Sequence, residues 1–440
     1  MLDSYRCFCL ATFLWFFFPV TLAAEPLERG QRVTLEALKP IGVPIHREAK
    51  PSFWKHVPDR STAIVQEIDD TNHWLFLTLE SGGLGWVHPK YVRVTSPASP
   101  GEATLHTSTS EKPVTDETRV WSSKEQCEKT VRNGGRMVTR SNKALRVATW
   151  NLRWFPFGQS PDHHNQATKS TDVLWLACAI AWMRVDIITV QESLDTPEAK
   201  QAWESVIQWL HATTGDTWQW SPQPCGEPDG HHVGFLWNKN RVFLSDIQSL
   251  WRFNLKASST ETACEGGLRP GHYARVQSLK QGGVDFHLIG LHLKSGPTVF
   301  ALEDRQNALN RIDQTVAPLL ILDRDVVILG DFNTMGAGDT ASQRSELKYV
   351  RRMVSKEKPG FQDMSITPQC THYFRGKGGW LDHVLVSQEM KEVTATSAQV
   401  TGYCAVAHCK KISGEYPAAY HHLSDHCPVI LEIQNSDEDE

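Results

Sequence analysis

From Ala144 onward, eight short β-rich runs recur, many of them near-continuously apolar: LRVATWN, DIITVQE, VGFLWN, YARVQSL, DFHLIGLHL, DVVILGDFN, LDHVLVS and PVILEI. A strand of this kind needs cover on both faces, a helix layer on one side and a second sheet on the other. Helical runs lie between them. In LEDRQNALNRIDQTVAPLL, Leu302, Leu309, Ile312 and Val316 fall on one helical face. In RSELKYVRRMVSKE, Leu347, Val350 and Val354 do the same and leave Arg344, Lys348, Arg351 and Arg352 to solvent. The pattern predicts an α/β fold, a sandwich with two central β-sheets.

The ends of these runs carry the chemistry. In VVILGDFNTMG, apolar residues run into Gly330, and Asp331 and Asn333 follow where the strand should stop. Period two puts those two side chains on one side of an extended chain and Phe332 on the other. Five more strands turn polar at an end: at Asn151, at Gln191 and Glu192, at His292, Lys294 and Ser295, at Asp382, and at Asp425 and His426. Ligand sites gather at strand ends in layered α/β folds.

This set suits phosphoester hydrolysis with a hard divalent ion, Mg²⁺ or Mn²⁺, which takes oxygen ligands and keeps several waters. Glu192 is the expected direct ligand, with Asn151 and Asp425 completing the shell directly or through water. Asp331 is expected to orient or deprotonate the attacking water, and Asn333 to hold a phosphate oxygen or that water. His292 and His426 can donate to phosphoryl oxygens or protonate the leaving alkoxide. Asp382 would pair with one of them and raise its pKa. Arg269, in GLRPGHYARV, is expected to contact phosphate, because a guanidinium bridges two phosphate oxygens.

TWNLRW, VQES, GLHLKSG, LGDFN, LDHVLVS and SDHCPV, in this order, resemble the endonuclease/exonuclease/phosphatase superfamily. That superfamily includes pancreatic-type deoxyribonucleases, abasic-site endonucleases, inositol polyphosphate phosphatases and neutral sphingomyelinases. The resemblance spans residues 145–433. It implies a four-layer α/β sandwich, a divalent metal and in-line attack of water on phosphorus, with Glu192 as metal ligand and the His426–Asp382 pair serving the phosphate. His292 stands where abasic-site endonucleases carry Tyr, which is more similar to the other branches. HLKSG with Arg305 and Gln306 of DRQNALNRI resembles bacterial exported members. Arg269 is about one residue out of register with the family pattern. The expected activity is endonucleolytic cleavage of DNA. A phosphatase or a sphingomyelinase-like phospholipid phosphodiesterase would use the same metal and histidine set. A non-enzymatic scaffold predicts a missing catalytic residue, and none is missing.

The rest of the chain reads as an address and a module. Residues 1–24 resemble a secretory signal peptide, with Arg6, an apolar core and small residues at Ala23 and Ala24. No later segment is apolar enough to span a bilayer, so the expected location is secreted or periplasmic. Residues 30–95 read as short strands with closely spaced turns, a small all-β barrel. Trp74, Gly85, Trp86, Val87 and Tyr91 make it resemble the bacterial Src-homology-3-like domain, whose members often bind cell-wall peptides or other proteins, so a cell-wall or envelope ligand is expected. Residues 96–142 read as a Ser/Thr/Pro linker and a solvated basic segment, residues 143–434 as the catalytic domain, and residues 435–440 as an acidic tail with no core to join.

A net charge of -5 gives no global nucleic-acid signature, although a local positive rim would suffice. Beyond the leader, eight cysteines remain, whose pairing the sequence does not choose; Cys178, in an apolar helical run, reads as a buried thiol. His287 reads as a core residue. The pairs His163 and His164, His231 and His232, and His421 and His422 read as surface features, with His231 and His232 near the site in chain order.

Overall fold

The computed structural model describes residues 115–137, 143–160, 169–356, 360–395 and 397–438, and within 32–94 all but 36, 38–42, 47–52, 59, 70–73 and 80–83. The expected signal peptide, most of the linker, and His163 and His164 lie outside the described residues. The chain divides into two units, Met1–Ser110 and Glu111–Glu440.

The first unit is all-β, with β1 (Arg32–Leu35), β2 (Val43–His46), β3 (Phe53–Val57), β4 (Thr62–Ile68), β5 (Leu75–Leu79), β6 (Leu84–Val87) and β7 (Val92–Val94). They form one antiparallel sheet in the order β3-β2-β6-β5-β4-β1-β7. The expected barrel is not seen: among the described residues, β3 and β7 remain the two edges. Its core holds Val33, Leu35, Ile45, Val65, Leu77 and Val87, the alternate positions of these strands.

The second unit opens with α1 (Asp116–Val120) and α2 (Lys124–Arg132). They lie in the expected linker and basic segment, which is helical here with one face buried rather than wholly solvated. Val120, Trp121, Cys127 and Val131 are buried in the main core, and Cys127 is bonded to Cys178, which is therefore not a free thiol. The chain continues through β8 (Ala144–Phe155), α3 (Val173–Met183), β9 (Ile187–Ser193), α4 (Pro197–Thr214), β10 (Trp218–Pro222), β11 (His232–Asn238) and β12 (Val242–Leu250). Next come β13 (Arg269–Ser278), β14 (Asp285–His292), α5 (Val299–Leu309), α6 (Ile312–Val316), β15 (Val326–Asp331) and α7 (Gln343–Val354). The last elements are β16 (Phe361–Asp363), β17 (Ser365–Thr367), β18 (His372–Phe374), β19 (Lys377–Gly379), β20 (Asp382–Ser387), β21 (Ser397–Val400), α8 (Tyr403–Val406), α9 (Ala418–His422) and β22 (Val429–Gln434).

Two large mixed sheets result, ordered β10-β11-β9-β8-β22-β21-β17 and β12-β13-β14-β15-β20-β16. The strand faces explain the unbroken apolar runs. In β15, Val327 and Leu329 join the core shared with the first sheet, while Val326 and Ile328 join a second cluster with Leu309, Ile312, Val316, Val350 and Val354 of α5, α6 and α7. On the first sheet, α3 contributes Trp175, Ile180 and Trp182 to the main core. The architecture is α/β, with large mixed sheets flanked by helices, consistent with the expected sandwich.

Helix boundaries follow local chemistry. Asp172 caps α3 by accepting from the backbone N–H groups of Leu174 and Trp175. Thr196 caps α4, Pro197 opens it, and Gly215 closes it at φ 77°. At the C-terminus the tail reading is also corrected in part: Asn435 is buried, and its backbone N–H donates to the Lys143 carbonyl.

Candidate active site

Strand register assembles half of the site. Arg269 pairs with His292, His292 with Asp331, and Asp331 with Asp382, one residue from each of β13, β14, β15 and β20. Parity aims them. Val327 and Leu329 face the other sheet, so Asp331 does too, and Phe332 turns to the helix side. The same count from Phe286 and Leu288 sends His292 inward, and from Val386 and Val384 it sends Asp382 inward. Gly330, at φ 148°, has no room for a side chain, because a Cβ there would collide with the Leu291 backbone. At Gly290 a Cβ would strike Thr189 of the facing sheet, so glycine permits the close approach of the two sheets beside the site.

The facing sheet supplies Asn151 and Glu192, from adjacent parallel strands in which Asn151 pairs with Gln191. The chain leaves the extended region at Glu192, with φ 61°, and Arg153 and Trp154 are also left-handed, at φ 45° and 52°. Such non-glycine conformations are costly and mark places where the surroundings dictate the backbone. Here they turn the Glu192 carboxylate back toward Asn151. The Asn151 amide Nδ2 donates to Glu192 Oε1 and to Asp331 Oδ2, each at 3.0 Å, so one carboxamide ties carboxylates of both sheets together. Its oxygen accepts from the Arg153 backbone N–H at 2.9 Å. Asn151 therefore holds two acids in place and spends its oxygen on the backbone.

Asn333 is likewise a brace. Its backbone N–H donates to Asp331 Oδ1 at 2.8 Å and its side-chain Nδ2 donates to the Leu293 carbonyl at 3.1 Å. It thereby couples the loop after β15 to the one after β14, and it sits at φ 52°, where Asn is tolerated better than most residues.

His426 Nδ1 lies 2.8 Å from Asp382 Oδ2, and its Nε2 lies 3.8 Å from Asp331 Oδ2. Burial opposes the charged ring, but Asp382, Asp331 and Asp425 around it outweigh that and lift its pKa to about 10. Burial pushes Asp331 up to about 7, against the pull of His426. For Asp425, burial acts upward, but His372, His426 and Arg153 hold it well below the usual carboxylate range. His372 Nε2 is 3.7 Å from Asp425 Oδ2.

On His292 and His231 burial prevails instead. His292 is driven well below its ordinary value by burial, reinforced by Arg269, His231 and His426. Burial takes His231 to about 4 despite Glu192, whose Oε2 is 3.6 Å away. Arg269 is lowered by burial against the attraction of Glu192 and Asp331.

Among the described residues, several buried polar atoms at this place have no hydrogen-bond partner: both ring nitrogens of His292, Nε2 of His231, Oδ1 of Asp382, and Nε of Arg153 and Arg269. Buried polar groups are normally paired with protein, ordered water or an ion. Acidic oxygens, imidazole nitrogens and guanidinium donors facing one space fit a divalent cation beside a phosphate. Among the described residues, three sets of ligand atoms are close enough to hold an ion: Glu192, His231 and His292; His372, Asp425 and His426; and Asp331, Asp382 and His426.

Asn151, Glu192, Arg269, His292, Asp331, Asn333, Asp382, Asp425 and His426 are thus neighbours in one site. His231 and His372 belong to it as well. His372 carried no strand-end signal, and it is placed by an isolated bridge to His426. Phe155 packs against Trp203 in the core, whereas Trp154 lies edge-on to His231.

The fold and this acidic, histidine-rich centre define a metal-dependent phosphoesterase. Residues 148–426, more than half of the chain, match the sequence profile of the Endonuclease/Exonuclease/phosphatase family, and the chain belongs to that family. No curated protein matches it. Among solved structures it is similar to the endonuclease/exonuclease/phosphatase from Bacteroides vulgatus, at 16% identity over 67% of this chain and 99% of that one, with a TM-score of 0.45. The human Nocturnin catalytic domain with bound sulfate is 14% identical over 68% and 97%, with a TM-score of 0.40. A mannosyl-6-phosphatase of Bacteroides thetaiotaomicron is 15% identical over 65% and 98%, with a TM-score of 0.42.

Proposed function

We propose that this chain is an exported, Mg²⁺- or Mn²⁺-dependent phosphodiester hydrolase that cleaves DNA endonucleolytically by in-line attack of water. The observation that carries the catalytic reading is the pairing of a cationic His426 with two buried acids, Asp382 on one nitrogen and Asp331 facing the other. Glu192 would hold the ion, with Asp425 contributing directly or through water. A bound divalent ion would neutralise charge that builds on the phosphoryl oxygens.

The chain's own residues do the rest. Asp331, with its pKa raised, is suited to accept a proton from the attacking water, and Asn151 and Asn333 fix its two oxygens. His426, held as imidazolium by Asp382, donates to a phosphoryl oxygen or to the departing alkoxide. His292 offers a neutral N–H to the same group, and Arg269 supplies a guanidinium. Preference for DNA is supported by the Trp154–His231 aromatic pair beside Glu192, a surface on which a base can stack. Export is supported by four disulfides, Cys127–Cys178, Cys225–Cys264, Cys370–Cys409 and Cys404–Cys427, a pattern of oxidising compartments. The N-terminal unit is read as a Src-homology-3-like module for an envelope ligand, with the buried Trp74 edge-on to His46 and His88 as its aromatic centre.

The test is hydrolysis by the purified protein of plasmid DNA, single-stranded DNA, RNA, sphingomyelin and inositol phosphates, with Mg²⁺ or Mn²⁺ and then with chelator. Metal-dependent nicking of plasmid that disappears in Glu192→Gln supports the reading. Turnover of a small phosphoester alone replaces the substrate and keeps the site.

A further inference from the structure

Beyond its stacking against Trp154, His231 has no chemical step in the proposed reaction, yet it faces Glu192. The two oxygens of that carboxylate each look at an imidazole: Oε2 is 3.6 Å from His231 Nε2 and Oε1 is 3.8 Å from His292 Nε2. The ligand atoms of the three residues all lie within 4.8 Å of one another. The two rings are stacked, with centroids 5.6 Å apart and 21° between planes.

Their nitrogens differ from those of most other buried histidines; among the described residues His272 also has neither ring nitrogen partnered, but it belongs to no cluster of ligand atoms. His232 spends both on the Gln223 and Glu227 carbonyls, His287 on Tyr273 and the Leu319 carbonyl, and His383 on Asp363 and Thr334. His292 is 2% exposed with neither nitrogen hydrogen-bonded, and Nε2 of His231 is buried and also without a partner, among the described residues. Imidazoles that are buried, unpaired and turned to one carboxylate from two directions suit a cation that accepts nitrogen ligands.

We propose that Glu192, His231 and His292 form a site for a borderline divalent ion of the Zn²⁺ class, in addition to the oxygen-ligand position for Mg²⁺. Imidazole nitrogens favour zinc over magnesium, and two histidines with one glutamate leave a coordination position open for water or a phosphate oxygen. The inference rests on the reading of Glu192 as an ion-binding residue and adds the metal that the chain selects. His231 comes from the HH pair ahead of β11 and His292 from the end of β14, so the site bridges the two sheets.

Full-length protein is stripped with chelator and titrated with Zn²⁺ by calorimetry in excess Mg²⁺, while ¹⁵N spectra of histidine-labelled protein follow the ring nitrogens. Hydrolysis of plasmid DNA with Mg²⁺ alone is measured in parallel. The expected result is one tight equivalent of Zn²⁺ with large shifts of two imidazoles. His231→Ala, its fold checked by circular dichroism, should weaken Zn²⁺ by more than the roughly 100-fold that loss of an outer partner costs. His292→Gln, as a second variant, should do the same. Equal Zn²⁺ affinity in wild type and His231→Ala, or binding without ring-nitrogen shifts, overturns the site. If Mg²⁺ supports no plasmid hydrolysis while Zn²⁺ shifts both rings, the DNA-hydrolase reading falls and the zinc site stands. Mg²⁺-driven nicking with silent rings overturns the zinc site and leaves the hydrolase reading intact.

Discussion

His426 and Asp382 are joined by one buried hydrogen bond, Nδ1 to Oδ2 at 2.8 Å, although they are 44 residues apart in the chain. The bond fixes the ring so that Nε2 faces Asp331. Asp382→Asn keeps the shape and removes the charge. The His426 pKa in metal-free protein should then fall from about 10 toward the ordinary histidine value, and hydrolysis should drop by about 10²–10⁴-fold. An NMR titration of the ring checks the first outcome and a rate assay the second. An unmoved titration would remove Asp382 from this role.

The same ring makes metal-free stability depend on pH. A group whose folded pKa is raised stabilises the fold fully below its unfolded value, and that contribution is lost as pH rises through the folded value. For His426 the window runs from about 6.5 to about 10. Asp331, raised to about 7 from 3.8, acts with the same sign in a lower window, because the folded state resists its ionisation. Urea unfolding of metal-free protein should show stability falling from pH 6 to pH 10, with a shallower slope in His426→Gln. A flat wild-type profile would contradict the assignment.

Asn151 separates two acids that would otherwise repel. Asn151→Asp removes its two donated hydrogen bonds and adds a third negative group. Metal-free protein should lose about 1–3 kcal/mol, with Mg²⁺ restoring part of it. Thermal unfolding with and without the ion measures both.

Arg305 clamps the loops that follow β14 and β15. Its guanidinium bonds Glu346 and the carbonyls of Lys294, Gly296 and Gly336, with 1% exposure on both sides of the pair. Arg305→Ala leaves Glu346 buried without its cation, held only by the Gly336 backbone N–H, at a cost of about 3–5 kcal/mol. Denaturant unfolding should show that loss, and Arg305→Lys, which cannot fork, should recover little of it.

Cys427 follows His426 directly and is bonded to Cys404. Replacing both cysteines with alanine should cost about 2–5 kcal/mol by denaturation and lower the hydrolysis rate, because the ring's backbone loses an anchor.

Strand-end chemistry was legible in the sequence because parity and polarity are local. The side of the strand on which Asp331 stands could be counted from Val327 and Leu329. The hydrogen-bond partners of Asn151 and Asn333 were not legible, since both depend on which amide atom meets which neighbour in the fold. His231 reads as one of three loop pairs, and only the turned backbone at Trp154 and Glu192 brings it to the site. The basic residues of α2 hid its buried face: Cys127 and Val131 are four apart, and their partner on α3, Cys178, is 51 residues from Cys127. The Arg305–Glu346 pair needs two helices to meet, which no single helical pattern announces.

The line of pairs from Arg269 through His292 and Asp331 to Asp382 turns hydrogen-bonded sheet spacing into a ruler for the reaction. Adjacent strands repeat at roughly 4.8 Å, and a slip of one residue reverses every side chain it carries. A misregistered sheet would therefore discard the whole row at once. Catalytic competence then becomes a sensitive gauge of correct strand pairing, sharper than any spectrum that counts only strands.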